Sequence, residues 1–168
     1  MMQIVQAADR LVSAINKLML FLGSLALVAA AVILSYSVVS RGLFQATTDW
    51  QDEASVFCLV GATFLCGAYV QEIRGHVGIS AISTMLPKAL NHLRVILVDV
   101  ISCAFCAFFA WKSWSLFDEA WVEGQVSSSS WAPSLWIPYG MMALGMSLLA
   151  VQILLQVFGD FSKSEKVN

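Results

Sequence analysis

Four long apolar runs divide this chain. Each comes close to the roughly 20 residues a helix needs to cross the hydrocarbon core of a bilayer. The first extends from about Leu18 to Val39 and carries no charge. The second extends from about Ala54 to Ile73 and turns polar only at Gln71 and Glu72. The third, about Leu93 to Phe117, contains Asp99 and Lys112, and the fourth, about Leu135 to Phe158, contains Gln152 and Gln156. Lipid offers no hydrogen-bond partners to the backbone, so each run is predicted to be a helix.

The segments between the runs are also patterned. Residues 75 to 92 are too many for a minimal turn, and Ile79, Ile82, Leu86 and Leu90 recur on one helical face while Ser80, Ser83, Thr84 and Lys88 fall elsewhere. This predicts an amphipathic helix over about 78–90, lying in the inner membrane interface, with Pro87 marking a break. Ile4, Ala8, Leu11 and Ile15 share a face in the same way, which predicts an N-terminal amphipathic arm over 1–17. The expected fold is therefore an all-α integral membrane protein: the arm, a four-helix membrane domain over 18–158, and a tail over 159–168.

Composition supports a lipid-embedded chain. Of 168 residues, 59% are apolar and 12% charged, and mean hydropathy is +0.78, against about 45–50% apolar and 25% charged in a soluble domain. A net charge of -2 leaves no electrostatic footprint for nucleic acid. Charge also predicts orientation, since cytoplasmic loops are rich in Lys and Arg. Arg10, Lys17, Arg74, Lys88, Arg94, Lys163 and Lys166 fall on one side and Arg41 on the other. Both termini are thus expected in the cytoplasm, with the first apolar run retained as a span. The opposite face is acidic, with Asp49, Asp52, Glu53, Asp118, Glu119 and Glu123, and Trp50, Trp121, Trp131 and Trp136 lie beside its helix ends as an aromatic belt.

Candidate chemistry is sparse. There is no glycine-rich phosphate loop, nucleophile elbow or metal-spaced His/Cys loop, and His76 and His92 share one connection, so they cannot ligate a haem from opposite helices. No cofactor, metal site or catalytic residue is expected. Cys58, Cys66, Cys103 and Cys106 all lie in apolar runs, where a cysteine packs as a small apolar residue. Cys103-x-x-Cys106 has redox spacing, and a membrane disulfide-forming oxidoreductase is the competing enzyme reading; replacing all four cysteines would discriminate. Asp99 lies six residues into the third run, about 9 Å along the helix. There it can form an ion pair near the inner end, meet a partner, or relay protons as in a small proton-coupled exporter. Lys112 can extend outward along its aliphatic stem. Asp52 and Glu53 sit at a helix N-terminus, where the dipole favours carboxylates. Gly61, Ala62, Gly67 and Ala68, with Gly140 and Gly145, permit close helix packing.

Read together, several short motifs resemble the small membrane subunit of TRAP transporters, the DctQ-like small permeases. They are Ser40-Arg41-Gly42-Leu43-Phe44 after the first span, Trp50-Gln51-Asp52-Glu53 opening the second, and Arg74-Gly75-His76-Val77-Gly78-Ile79 after it. Ser130-Trp131-Ala132-Pro133, Trp136, Tyr139 and Gly140 lie before and in the fourth. The resemblance spans about 18 to 158. It implies a non-catalytic scaffold subunit of a tripartite, sodium-driven importer of organic acids in the bacterial inner membrane. The expected partners are a large elevator-type membrane subunit, a periplasmic substrate-binding protein and membrane lipids. Partner or lipid contacts are expected at Arg41, Trp50, Asp52, Glu53, Arg74, His76, Asp99, Trp131, Pro133 and Trp136.

Overall fold

The computed structural model describes residues 2–44, 49–73 and 88–164, which form four helices: α1 (Met2–Phe44), α2 (Asp49–Glu72), α3 (Lys88–Val122) and α4 (Trp136–Ser164). All four are long and apolar enough to cross a membrane. Among the described residues the only strand-like feature is an isolated bridge between Val126 and Ser134.

The arm expected over 1–17 is not a separate element in the described residues. α1 is one helix of 43 residues, about 64 Å long at the usual rise and twice the roughly 30 Å hydrocarbon core. No glycine or proline precedes Gly23 to interrupt it. The amphipathic repeat of the arm and the apolar run of the span therefore join in a single rod. Of the interfacial helix expected at about 78–90, residues 78–87 lie outside the described residues, while Lys88, Ala89 and Leu90 open α3.

The helices pack in the order α1, α2, α4, α3. α1 lies along α2, α2 along α4 and α4 along α3, while α1 meets α4 only slightly. This is an open layer with α1 and α3 at its edges. Its seams are made of small residues. α1 buries Asn16, Gly23, Ala30 and Ser37, and α3 buries Asp99, Cys106, Ser113 and Ala120, each set repeating every seventh residue. A seven-residue repeat keeps one face against a neighbour crossing at about 20°. Small side chains matter here because lipid is as apolar as leucine, so close backbone approach and hydrogen bonds must hold the helices together.

α4 carries two seams. Pro138, Gly145 and Gln152 are buried at sevenfold spacing on one side. On the other, Met146, Ile153 and Val157 form a cluster with Cys106 and Ala110 of α3. Gly145 marks the tightest approach to α2: a Cβ there would lie 2.5 Å from the Phe64 carbonyl carbon and 2.8 Å from the Phe64 Cβ. Gly61 faces Met141 across the same seam, and Gly67 faces Leu149 more loosely.

Candidate functional site

Polar side chains gather at the two ends of the layer. At the end where α2 begins, Arg41 from the last turn of α1 forms an ion pair with Asp52, which also accepts a hydrogen bond from Ser37 at 3.4 Å. Both partners of the ion pair are about half exposed, so it tethers α1 to α2 with a small contribution to stability. One residue on, Glu53 accepts hydrogen bonds from the hydroxyls of Ser127 and Ser129, the latter at 2.7 Å. Those serines belong to the loop between α3 and α4. Trp50 meets Trp131 of the same loop edge-to-face, with ring centroids 6.5 Å apart.

The loop itself is well defined by its backbone. Two residues past the end of α3, Gly124 turns the chain with a φ of 62° that is readily adopted only by glycine, and the Gln125 N–H caps the Ala120 carbonyl at 3.0 Å. Ser127 N–H donates to the Pro133 carbonyl, Leu135 N–H to that of Gln125, and Ala132 N–H to that of Ser129. Trp136 then opens α4 with its ring edge-on to Trp121, 5.0 Å between centroids. Arg41, Trp50, Asp52, Glu53, Trp131 and Pro133 thus form one patch held by two tethers, and Trp136 lies at the α3–α4 corner beside it. Replacing Glu53 by alanine is expected to release the loop while leaving the helices assembled. Hydrogen exchange over residues 125–135 should then quicken at least about tenfold, as expected for two lost hydrogen bonds of about 1 kcal/mol each.

At the opposite end the hydrogen bonds cross three helices. Glu72, last residue of α2, accepts from the Ser13 hydroxyl at 2.7 Å and from Asn16 Nδ2 at 2.9 Å. Asn16 Nδ2 also donates to Gln152 Oε1 of α4 at 2.8 Å, inside the protein. Gln71 Nε2 donates to Gln156 Oε1 at 2.8 Å, and Gln156 Nε2 returns a bond to the Gln71 carbonyl at 2.9 Å. The four residues of this set on α2 and α4 stand out in sequence as the polar exceptions to their spans. Ser13 and Asn16 do not, because they fall in a stretch whose apolar pattern suggested an arm. The missing signal was the matching depth of polar groups on three helices once α1 is continuous.

The remaining candidates are placed differently. Asp99 is buried, on the stripe of α3 that carries Cys106, Ser113 and Ala120. Arg74 and His76 lie outside the described residues. All four cysteines are free thiols, with Cys106 in the α3–α4 core. Among the described residues no three His, Cys, Asp or Glu side chains converge as metal ligands.

Residues 30–163 match the model of the DctQ component of the tripartite ATP-independent periplasmic transporters. The chain belongs to this family. No curated protein gives a significant match. The DctQ match begins at Ala30 within α1 and runs into the last turns of α4, so it takes in the C-terminal third of α1, the other three membrane helices and the tethered patch, while Ser13 and Asn16 precede it. A DctQ component is part of a transporter, and this one is a small multi-pass membrane subunit.

Proposed function

We propose that this chain is a scaffold: the small subunit that enlarges and anchors the large, elevator-type subunit of a sodium-driven importer of organic acids supplied by a periplasmic binding protein. The observation that carries the reading is how the membrane-embedded polar groups are used. Glu72, Asn16, Gln152, Gln71 and Gln156 hydrogen-bond one another across helices, and the membrane serines Ser24, Ser35, Ser113 and Ser147 donate to carbonyls one turn back in their own helices. Polar groups satisfied between the helices or within their own helix, rather than turned to a shared site, suit a support. The broken helices and facing half-helices of a self-sufficient carrier have no counterpart in the four continuous rods.

In this reading the protein lies in the inner membrane with both termini in the cytoplasm, by the excess of Lys and Arg on that side. The patch of Arg41, Trp50, Asp52, Glu53, Trp131 and Pro133 faces the periplasm and offers a rigid surface to the large subunit or the binding protein. Trp136 anchors that corner at the interface. Arg74 and His76 hold the inner connection, and Asp99 makes a contact within the complex. Reconstitution tests the proposal. Vesicles holding this chain alone should take up no organic acid when a sodium gradient and binding protein are supplied, and vesicles also holding the large subunit should. Sodium-dependent uptake by this chain alone would overturn it.

A further inference from the structure

On α3 a second seven-residue stripe turns away from the other three described helices. Ile101, Phe105, Phe108, Lys112, Ser115 and Glu119 follow the alternating three- and four-residue spacing of a helix-packing seam, and all are exposed. Phe105 is 64% exposed and Phe108 56%. The buried stripe of the same helix, Asp99 to Ala120, faces the other way, onto α4. Lys112 stands in the middle of the outward seam with its ammonium 4.7 Å from the centre of the Trp111 ring. It makes no ion pair among the described residues. Ten residues separate it from the end of α3, about 15 Å of helix.

A charged side chain within a membrane span almost always faces protein or water rather than lipid. The other edge helix makes the contrast. α1 also leaves a broad face exposed, but that face has no Asp, Glu, Lys or Arg between Leu18 and Ser40 and is chemically a lipid surface. Among the described residues no other helix covers Lys112, so the protein interior it calls for fits a helix of another chain. A second copy does not fit: two copies inserted the same way and paired along this seam would set Lys112 against Lys112.

We propose that this face of α3 is the docking surface for the large membrane subunit, and that it receives a partner helix bearing an acidic side chain opposite Lys112 and apolar side chains against Phe105 and Phe108. The inference rests on the scaffold reading and adds to it the face and the charge of the contact.

Photo-crosslinking within the intact complex tests it. A photoreactive phenylalanine analogue is placed at Phe105 or Phe108 and, for comparison, at Val28 or Val32 on the exposed face of α1. The expected result is an adduct with the large subunit, identified by mass, from the two α3 positions and not from α1. Lys112→Glu should lower the recovery of the large subunit with this chain at least about tenfold, as a like charge facing the partner's carboxylate would, while Lys112→Arg should restore it. Adducts at 105 and 108 with lipid alone, or with a second copy of this chain, would overturn the assignment. So would large-subunit adducts confined to α1, or normal recovery with Lys112→Glu. If no large membrane protein accompanies the unmodified chain, the scaffold reading itself falls and the docking face with it.

Discussion

Gly145→Ala will separate α2 from α4, whereas Gly67→Ala, on the same pair of helices, will not. Both changes remove a glycine from a helix interior, which by propensity alone should stabilise by about 0.5–1 kcal/mol. Space decides the difference. A Cβ at Gly67 would come no closer than 3.9 Å to the Leu149 side chain, an ordinary contact. At Gly145 it would run into the carbonyl group of Phe64. A flexible side chain can turn away from a new methyl group, as Met141 could opposite Gly61, but a backbone carbonyl moves only with its helix. Overpacking of this kind costs about 1–3 kcal/mol, and here the α2–α4 seam joins the α1–α2 and α3–α4 halves of the layer. Detergent-titrated unfolding of the purified chain should show Gly145→Ala losing about 2–3 kcal/mol while Gly67→Ala stays within about 1 kcal/mol of the parent. Equal stabilities for the two variants would show that α2 and α4 are not in contact at Gly145.

The same comparison shows what can be read from such a chain. The four spans stand out because charge is nearly absent from 20-residue windows, and each coincides with one helix of the structure, the second and fourth overrunning theirs by one residue at Ile73 and Leu135. Helix ends are less legible: α1 starts at Met2 and α3 continues to Val122, well outside the apolar runs, because hydropathy marks where lipid stops rather than where hydrogen-bonded turns stop. Packing order was hidden for a related reason. In water a helix shows its buried face as an apolar stripe, but in lipid the outward face is apolar as well, so Leu25 and Val32 look no different from core residues. The informative residues are the small and polar ones. Asn16, Gly23, Ala30 and Ser37 repeat every seventh position and are buried, but Ser24, Ala26, Ala29, Ala31 and Ser35 on the same helix are as small, so size alone does not single out the buried stripe. At the candidate site, the outer residues could be named from motif and helix-end chemistry. Their mutual pairing, Arg41 with Asp52 and Glu53 with Ser127 and Ser129, depends on which helix ends meet and could not.

Removing the Asn16 side chain tests whether the inner hydrogen bonds hold the layer together. Asn16 supplies the only described side-chain hydrogen bond between α1 and α4, and the same nitrogen serves Glu72 of α2. Asn16→Leu would leave Gln152 Oε1 without its donor inside the protein and the Glu72 carboxylate with Ser13 alone. A buried polar group left unsatisfied costs about 1–3 kcal/mol, whereas a single interhelical hydrogen bond in a membrane contributes on average about 0.6 kcal/mol. The single variant should therefore lose about 2 kcal/mol, more than the bonds themselves are worth, because of what it strands. Glu72→Leu alone should lose about as much. The double variant, with both polar partners gone, should lose clearly less than the sum, with a coupling of about 1 kcal/mol or more in a double-mutant cycle. Gln156→Leu offers a milder comparison: its amide caps carbonyls at the end of α2, groups near enough to the helix end for water to replace it, so a loss near 1 kcal/mol is expected. Strict additivity of the Asn16 and Glu72 substitutions would mean that the two side chains act independently. α1 would then be held chiefly by its Gly23–Ala30–Ser37 seam and the Arg41–Asp52 pair.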